Sequence, residues 1–370
     1  MSDAAAINEY DIPVTMKAWV LGNPHEMKLI EKPVPTPGPA EVLVRVGAIA
    51  VCHTDVEVLH HGHPAMIEGE LPFNKNFVMG HEYMGTVVQT GPDVDEWQPG
   101  DRVAVEVHAG CGRCPRCREG MYTSCHNYSY RSKGHRANGF TTDGGFAEYA
   151  VNNINTLVPV PDHVSDCAAT LIVTAGTAMY GLDTLGGLIA GQSVAVAGAG
   201  PIGLMFVAIA KALGAFPVLL SEPRAERRDI ARTLGADIVI DPMAEDPIAK
   251  VRGATRGKGV DFAVETSGVP AVVNQVLHMT NRGGRVCLAA FSNELIPTDL
   301  AYVVSNNITL FGIRGEGRSA VKRAASLLKQ KRFDPSPIHT HTFPLQQVDK
   351  AVSYAEHQTD GAIKVVVKMS

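Results

Sequence analysis

The chain has little surplus charge: 33 Lys and Arg stand against 38 Asp and Glu, a net charge of -5 over 370 residues, with a pI near 6.3. A nucleic acid or an anionic membrane surface has nothing to attract it here, and a small diffusible ligand fits better. A secretory leader is missing as well. Residues Met1 to Thr15 contain acids and lack a basic stretch followed by an apolar one, so they read as a short extension ahead of the strand MKAWV, and a cytoplasmic location is expected. The uncharged run from Thr184 to Ala210 has the length to span a bilayer, but Gln192, Ser193 and repeated glycines break it with a turn motif, which argues against a membrane partner. Repeats and low-complexity linkers are also absent. What remains is the expectation of an ordinary α/β chain, 45% hydrophobic and long enough for two domains with proper cores.

Against these absences, one stretch is dense in chemistry. Cys111, Cys114, Cys117 and Cys125 lie in CGRCPRCREGMYTSC, at C-x2-C-x2-C-x7-C spacing. Four thiolates at this spacing can converge tetrahedrally on one soft divalent ion and leave no open position for water or substrate, which describes a structural zinc site. Four free thiols or two disulfides are the alternative, disfavoured in a chain without a secretory signal.

The pattern of elements changes along the chain. The first part reads as short β segments (VLVRVGAIAV, GTVVQTG, RVAVEV) separated by turns such as PTPGPAE and QPGD. From Gln192 onward strands and helices alternate: SVAVAGAG then PIGLMFVAIAKALGA, PVLLSE then RAERRDIARTLGA, followed by DIVID, DFAVETSG and RVCLAAF. That alternation predicts a parallel sheet with helices on both faces. A helical segment, SAVKRAASLLKQK, and a terminal strand, AIKVVVKM, complete the chain.

In GAGPIG, Gly198, Gly200 and Gly203, with Pro201 and Ile202 between them, follow an apolar strand and open an amphipathic helix. The backbone can there approach a pyrophosphate at the helix N-terminus. Glu222 ends the next strand, nineteen residues beyond Gly203, where a carboxylate can accept hydrogen bonds from a ribose and repel a 2′-phosphate. NAD is therefore expected over NADP, although Arg224, Arg227 and Arg228 form a basic face close enough to receive a phosphate. An ordinary N-cap carboxylate is the bland alternative for Glu222.

VCHTDVEVL holds Cys52, Thr54 and Asp55, and GHEYMG holds His81 and Glu82. A thiolate and an imidazole with a third protein ligand would leave zinc one open position to polarise an alcohol oxygen. Alone, each residue reads as a small buried thiol or a satisfied polar group. Together with the four-cysteine lobe and the glycine loop, in this order, they give a chain that resembles the zinc-dependent medium-chain dehydrogenases, the group of alcohol, sorbitol and threonine dehydrogenases, from Met16 to Lys368.

That resemblance implies an α/β fold with a GroES-like β-rich catalytic domain, residues 1–175 and 314–370, and a Rossmann domain, residues 176–313, with substrate and nicotinamide in the cleft between them. By position it makes Cys52 and His81 catalytic zinc ligands, Glu82 an acid that can enter the metal shell, Thr54 the hydroxyl that starts a proton relay and Asp55 the carboxylate behind the histidine. His53 and Lys364 fall at pyrophosphate cations, and Arg318 at the nicotinamide end. Two positions depart from the family. Thr174, also a cofactor-binding position, stands where alcohol dehydrogenases have a third zinc-ligand cysteine and Val173 where sorbitol and threonine dehydrogenases have a carboxylate, so the usual third ligand is missing: either Glu82 completes the shell, with water or Thr174 filling in, or catalytic zinc binds weakly or not at all. Glu57 stands at the relay histidine, which makes a carboxylate the terminal proton acceptor unless His60, His61 or His63 of LHHGHP takes that part. The LHHGHP cluster and the basic stretch RSKGHRANG otherwise read as solvated loops.

The function so implied is reversible hydride transfer between a secondary alcohol or polyol and NAD, with one structural zinc and one weaker catalytic zinc, in a homodimer or homotetramer. A zinc-poor reductase of activated C=C bonds and a non-catalytic NAD-binding protein stay open as alternatives.

Overall fold

The computed structural model describes residues 10–62, 76–292, 294–317 and 319–369. Arg318 and His63 lie outside the described residues, as does most of the segment between His61 and Asn76. Four sheets organise the rest, one of them only the two-stranded pair His108–Gly110 and Arg136–Ala137. Strands Met27–Pro33, Thr15–Leu21 and Phe77–Val78 form a small antiparallel sheet, and seven strands form a larger one around Glu41–Ala50. In the larger sheet Glu41–Ala50 has Glu82–Thr90 on one side and Lys364–Lys368 on the other, both antiparallel to it. The last strand of the chain thus sits beside one of the first, and the parallel neighbour of Lys364–Lys368, strand His339–Pro344, extends the same sheet.

Six strands build the remaining sheet in the order Ile238–Ile240, Val218–Ser221, Val194–Ala197, Val260–Glu265, Thr280–Leu288, Thr309–Gly312, all parallel. This is the doubly wound order whose reversal point lies at the carboxyl end of Val194–Ala197. The reason is visible in the side chains. Val194, Val196, Leu220 and Val264 pack into one core, while Ala195, Ala197, Leu219 and Ala263 pack into a second on the opposite face. Strands buried on both faces need helices on both, and the alternation of elements supplies them. The uncharged run from Thr184 divides accordingly into a turn, strand Val194–Ala197 and helix Pro201–Ala212. No described helix is long and apolar enough to cross a membrane.

Two stretches expected to be solvated loops are so only in part. The sequence LHH forms the last turn of helix His53–His61, which runs on to Gly62 because Cys52 and Asp55 cap its start and no breaker intervenes. His60 there meets Glu356 at 2.7 Å and His25 at 3.1 Å, tying the helix to the C-terminal segment. Within RSKGHRANG, His135 is fully buried: its Nδ1 accepts from the Ser129 N–H at 3.2 Å, and its Nε2 has no hydrogen-bond partner. Burial, reinforced by His108 and Arg314, drives the His135 pKa down to about 3.

The folded chain therefore keeps His135 neutral where an unfolded chain, with an imidazole pKa of about 6.5, takes up a proton. Its contribution to stability is present above pH ~6.5 and is lost progressively as the pH falls towards about 3. Melting temperatures measured from about pH 7 to about pH 4 should fall less steeply for His135→Gln than for the wild type. Equal slopes would show that this histidine is not what makes the fold acid-sensitive.

Candidate active site

The cysteine lobe begins where strand His108–Gly110 ends. Cys114 caps the short helix Pro115–Arg118, whose first position is a proline, and a 3-10 turn at Tyr122–Ser124 brings Cys125 back beneath it. The four sulfurs lie within 4.8 Å of one another, with Cys111 and Cys117 at 3.9 Å and Cys114 and Cys125 at 4.0 Å. Tetrahedral zinc with bonds of about 2.3 Å separates its sulfurs by roughly 3.8 Å, so the cage has the right size. N–H groups also point at the sulfurs: Asn127 Nδ2 donates to Cys111 Sγ at 3.3 Å, Asn127 N to Cys125 Sγ at 3.3 Å and Cys117 N to Cys114 Sγ at 3.5 Å. Against the cost of burial, the Asn127 side chain and the backbone N–H groups of Arg113 and Cys114 bring the Cys111 thiol down to about 6, whereas burial pushes Cys125 up. Four thiols so close cannot all ionise without a cation among them.

The second cluster forms on the seven-stranded sheet. Strand Glu41–Ala50 leads into Cys52, which N-caps helix His53–His61. Asp55 in its first turn accepts from Cys52 N at 2.9 Å through one oxygen and meets His81 Nδ1 at 3.1 Å through the other. A carboxylate can only accept, so Nδ1 carries the proton and Nε2 is left as the ligand nitrogen. Burial opposes charge on this imidazole, but Asp55 and Cys52 outweigh it and hold the His81 pKa well above its ordinary value. Gly80, just before His81, has φ +90, and a Cβ there would lie 2.4 Å from Ile49 Cδ1, so only glycine makes the bend that aims the histidine inward.

Ligand atoms of Cys52, His81 and Glu82 lie within 4.8 Å of one another, and Glu82 is 6% exposed. The Thr174 hydroxyl, from helix Ile172–Asp183, donates to Glu82 Oε1 at 3.3 Å. Glu82 Oε2 has no hydrogen-bond partner and faces the Lys364 ammonium as an ion pair. A carboxylate beside a thiol and an oriented imidazole suits a borderline-soft divalent ion with a position left open. The Thr54 hydroxyl lies 3.7 Å from Cys52 Sγ, at the edge of this cluster.

Not every expected residue lies there. Glu57 is on the exposed side of its helix, 3.3 Å from His53 and 3.9 Å from His61. Lys364, read from the sequence as a pyrophosphate cation, is only 2% exposed, and its ammonium is spent on Glu82. Burial works against its charge, yet Glu82 and then Cys52 keep its pKa raised. A second buried pair escaped the sequence altogether: His108 Nδ1 meets Glu316 Oε1 at 2.9 Å, joining the base of the cysteine lobe to the segment before helix Ala320–Lys329. Glu106 beside it is pushed well above the carboxylate range by burial and by Glu316. Glu106 follows strand Arg102–Val105 and His108 opens strand His108–Gly110, and nothing in the sequence alone joins either to Glu316.

The glycine loop is the third element. Gly198 has φ +99, and a Cβ on Gly203 would fall 2.0 Å from Gly198 O, so strand and helix can close on each other only with glycine at these two positions. At Gly200 a Cβ would meet nothing within 4 Å, and no side chain caps helix Pro201–Ala212. Open space in front of uncapped N–H groups is what a pyrophosphate requires. Glu222, 6% exposed, accepts from Ala199 N at 2.8 Å and from Arg224 N at 3.1 Å. The neighbouring arginines have partners: Arg228 pairs with Asp241 at 3.0 Å, Arg227 donates to Gln358 Oε1 at 2.9 Å, and Arg224 contacts the same oxygen.

With this geometry in hand, comparison with known proteins is informative. Residues 38–162 match the alcohol dehydrogenase GroES-like domain family, and residues 201–330 match the zinc-binding dehydrogenase family. The L-threonine 3-dehydrogenase of Pyrococcus horikoshii is 38% identical over 85% of this chain and 88% of its own length. The sorbitol dehydrogenase of Bacillus subtilis is 30% identical over 97% of this chain and 98% of its own. Among solved structures, a zinc-binding dehydrogenase from Sinorhizobium meliloti bound to NADP superposes with a TM-score of 0.85 at 28% identity, covering 96% of this chain and 99% of that one.

Because a closed four-thiolate cage contributes its binding energy to the folding of the lobe, Cys114→Ser should lower thermal stability and expression rather than act on chemistry alone, by an amount on the order of several kcal/mol. A purified variant with unchanged melting and unchanged zinc content would contradict the assignment of the lobe.

Proposed function

We propose, for a chain that belongs to the zinc-dependent medium-chain dehydrogenase family and is a zinc-dependent alcohol dehydrogenase, that its substrate is a secondary alcohol or polyol and its cofactor NAD. The observation that carries this reading is the convergence of Cys52, His81 and Glu82 within 4.8 Å beside the Thr54 hydroxyl. A thiol, an imidazole and a carboxylate converging in this way suit an ion with a position left open, which favours the zinc-dependent reading over a reductase that does without one. When bound, zinc supplies Lewis acidity to the substrate oxygen and the nicotinamide accepts the hydride. The chain's own residues do the rest. Cys52 and His81 hold the metal, Asp55 keeps the imidazole in its ligand tautomer, and Thr54 takes the hydroxyl proton and passes it outward. Glu57, at the solvent side of the same helix turn and next to His53, is the terminal acceptor in this scheme.

The preference for NAD rests on Glu222, a buried carboxylate at the end of strand Val218–Ser221, and on the arginines beside it being occupied by Asp241 and Gln358. We divide the chain into a catalytic unit, residues 1–175 and 314–370, and a dinucleotide-binding unit, residues 176–313. We place it in the cytoplasm, in keeping with seven cysteines of which none forms a disulfide. We also expect a homo-oligomer. Strand Thr309–Gly312 ends the parallel sheet with a free edge among the described residues, and the helix before it exposes Leu300 and Val304.

NADH absorbance followed over a panel of alcohols, polyols and ketones tests this directly. Cys52→Ala and Thr54→Val should each lose most of kcat, on the order of 10²–10⁴-fold, while binding NADH with nearly wild-type affinity, because the glycine loop lies on the other sheet. Undiminished alcohol oxidation by Cys52→Ala would overturn the mechanism.

For the cofactor, kcat/KM should favour NAD over NADP by about tenfold or more, since a 2′-phosphate brought against Glu222 costs on the order of 1.4 kcal/mol. Replacing Glu222 by Ser should narrow that gap. A wild type that prefers NADP would mean that the arginines decide the matter.

A further inference from the structure

The register of three strands brings a buried cation to the metal cluster. Ala50 pairs with Glu82 on one side and with Val366 on the other. Side chains two residues apart share a face, so Glu82, Ala50 and Lys364 all stand on the same side of the sheet, with Ala50 the small residue between the other two. Ala48, Ala50, Met84 and Val366 confirm the sidedness by packing into one core. The Lys364 ammonium crosses this gap to Glu82 Oε2. Glu82 is thus held at both ends, by Lys364 and by Thr174 at 3.3 Å, while it also stands within 4.8 Å of the ligand atoms of Cys52 and His81.

We propose that Lys364 is a positioning residue that competes with the catalytic metal for Glu82 and thereby sets how tightly that metal is held. The proposal rests on the reading that Cys52, His81 and Glu82 form the metal site. Buried ions need partners, and a carboxylate at this depth left without one is strongly disfavoured. Without metal, the ammonium meets that need and stabilises the metal-free protein. Entry of a divalent ion transfers Glu82 to the metal shell and leaves the ammonium to find another partner, so part of the binding free energy is cancelled. The competition matters because Glu82 is the sole third ligand within reach among the described His, Cys, Asp and Glu residues. In the lobe, by contrast, N–H groups of Asn127 and Cys117 donate to three of the four sulfurs.

The competition has an unusual signature, since removing the ammonium should weaken the metal-free protein and tighten the metal. A merely structural lysine would weaken both. The wild type, Lys364→Met and Lys364→Arg are purified with zinc, and zinc release to a chromogenic chelator is followed alongside melting with and without added zinc. Two zinc ions per subunit should leave the wild type in two phases, and the fast phase should slow by about tenfold or more in Lys364→Met, while Lys364→Arg stays close to the wild type. The metal-free form of Lys364→Met should melt lower than that of the wild type, with a larger gain on adding zinc. The release experiment uses the loaded protein, so it can be read even if that metal-free form does not fold. In a Glu82→Gln background, Lys364→Met should change zinc release little, because the object of the competition is gone. A fast phase that is unchanged or quicker in Lys364→Met overturns the proposal. A wild type that carries the lobe zinc alone, by contrast, would refute the metal site itself.

Discussion

The arrangement depends above all on the pairing of strand Glu41–Ala50 with Glu82–Thr90 and Lys364–Lys368. That register puts the end of one strand, the start of a second and the first residue of the last strand of the chain at one level on one face. Cys52 follows the first, His81 and Glu82 open the second, and Lys364 opens the third. A slip of one residue in either pairing would turn Glu82 or Lys364 to the opposite face, where Ile49, Tyr83 and Val367 fill an apolar core. The hydrophobic alternation of three strands thus locates the chemistry, and the glycine bend at position 80 and the capping carboxylate of Asp55 aim it.

Two candidate metal clusters of opposite design follow. In the lobe, all four donors come from fifteen consecutive residues, Cys111 to Cys125, so local chain geometry closes the cage and N–H groups support the sulfurs. The catalytic cluster takes its parts from strands far apart in sequence, leaves a position open and surrounds its third donor with a hydroxyl and an ammonium. The first is suited to stabilising a fold. The second is suited to holding an ion that must exchange a ligand during turnover.

The sequence made the lobe and the glycine loop legible because both are local: spacing alone brings the cysteines together, and a strand, three glycines and a helix define the loop. Cys52, His81, Glu82 and Asp55 became legible only by resemblance, since no spacing rule joins residues from two strands; the structure brings these four together. Lys364 shows the limit. The resemblance puts Lys364 at a pyrophosphate, and only the pairing of a C-terminal strand with an N-terminal one reveals that it is buried against a carboxylate. The same holds for His108 and Glu316, and for His135, whose basic surroundings in the sequence suggest solvent while the fold buries it.

The central claim is that the ion held by Cys52, His81 and Glu82 carries alcohol oxidation while the ion of the cysteine lobe does not. Its most direct test is to remove zinc in steps by mild chelation and to measure, on the same samples, zinc per subunit and the rate of NADH formation from a secondary alcohol. The account predicts that the rate falls in proportion to loss of the first zinc, with the fold intact, and returns when zinc is restored. A full rate in protein that retains only its lobe zinc would contradict it.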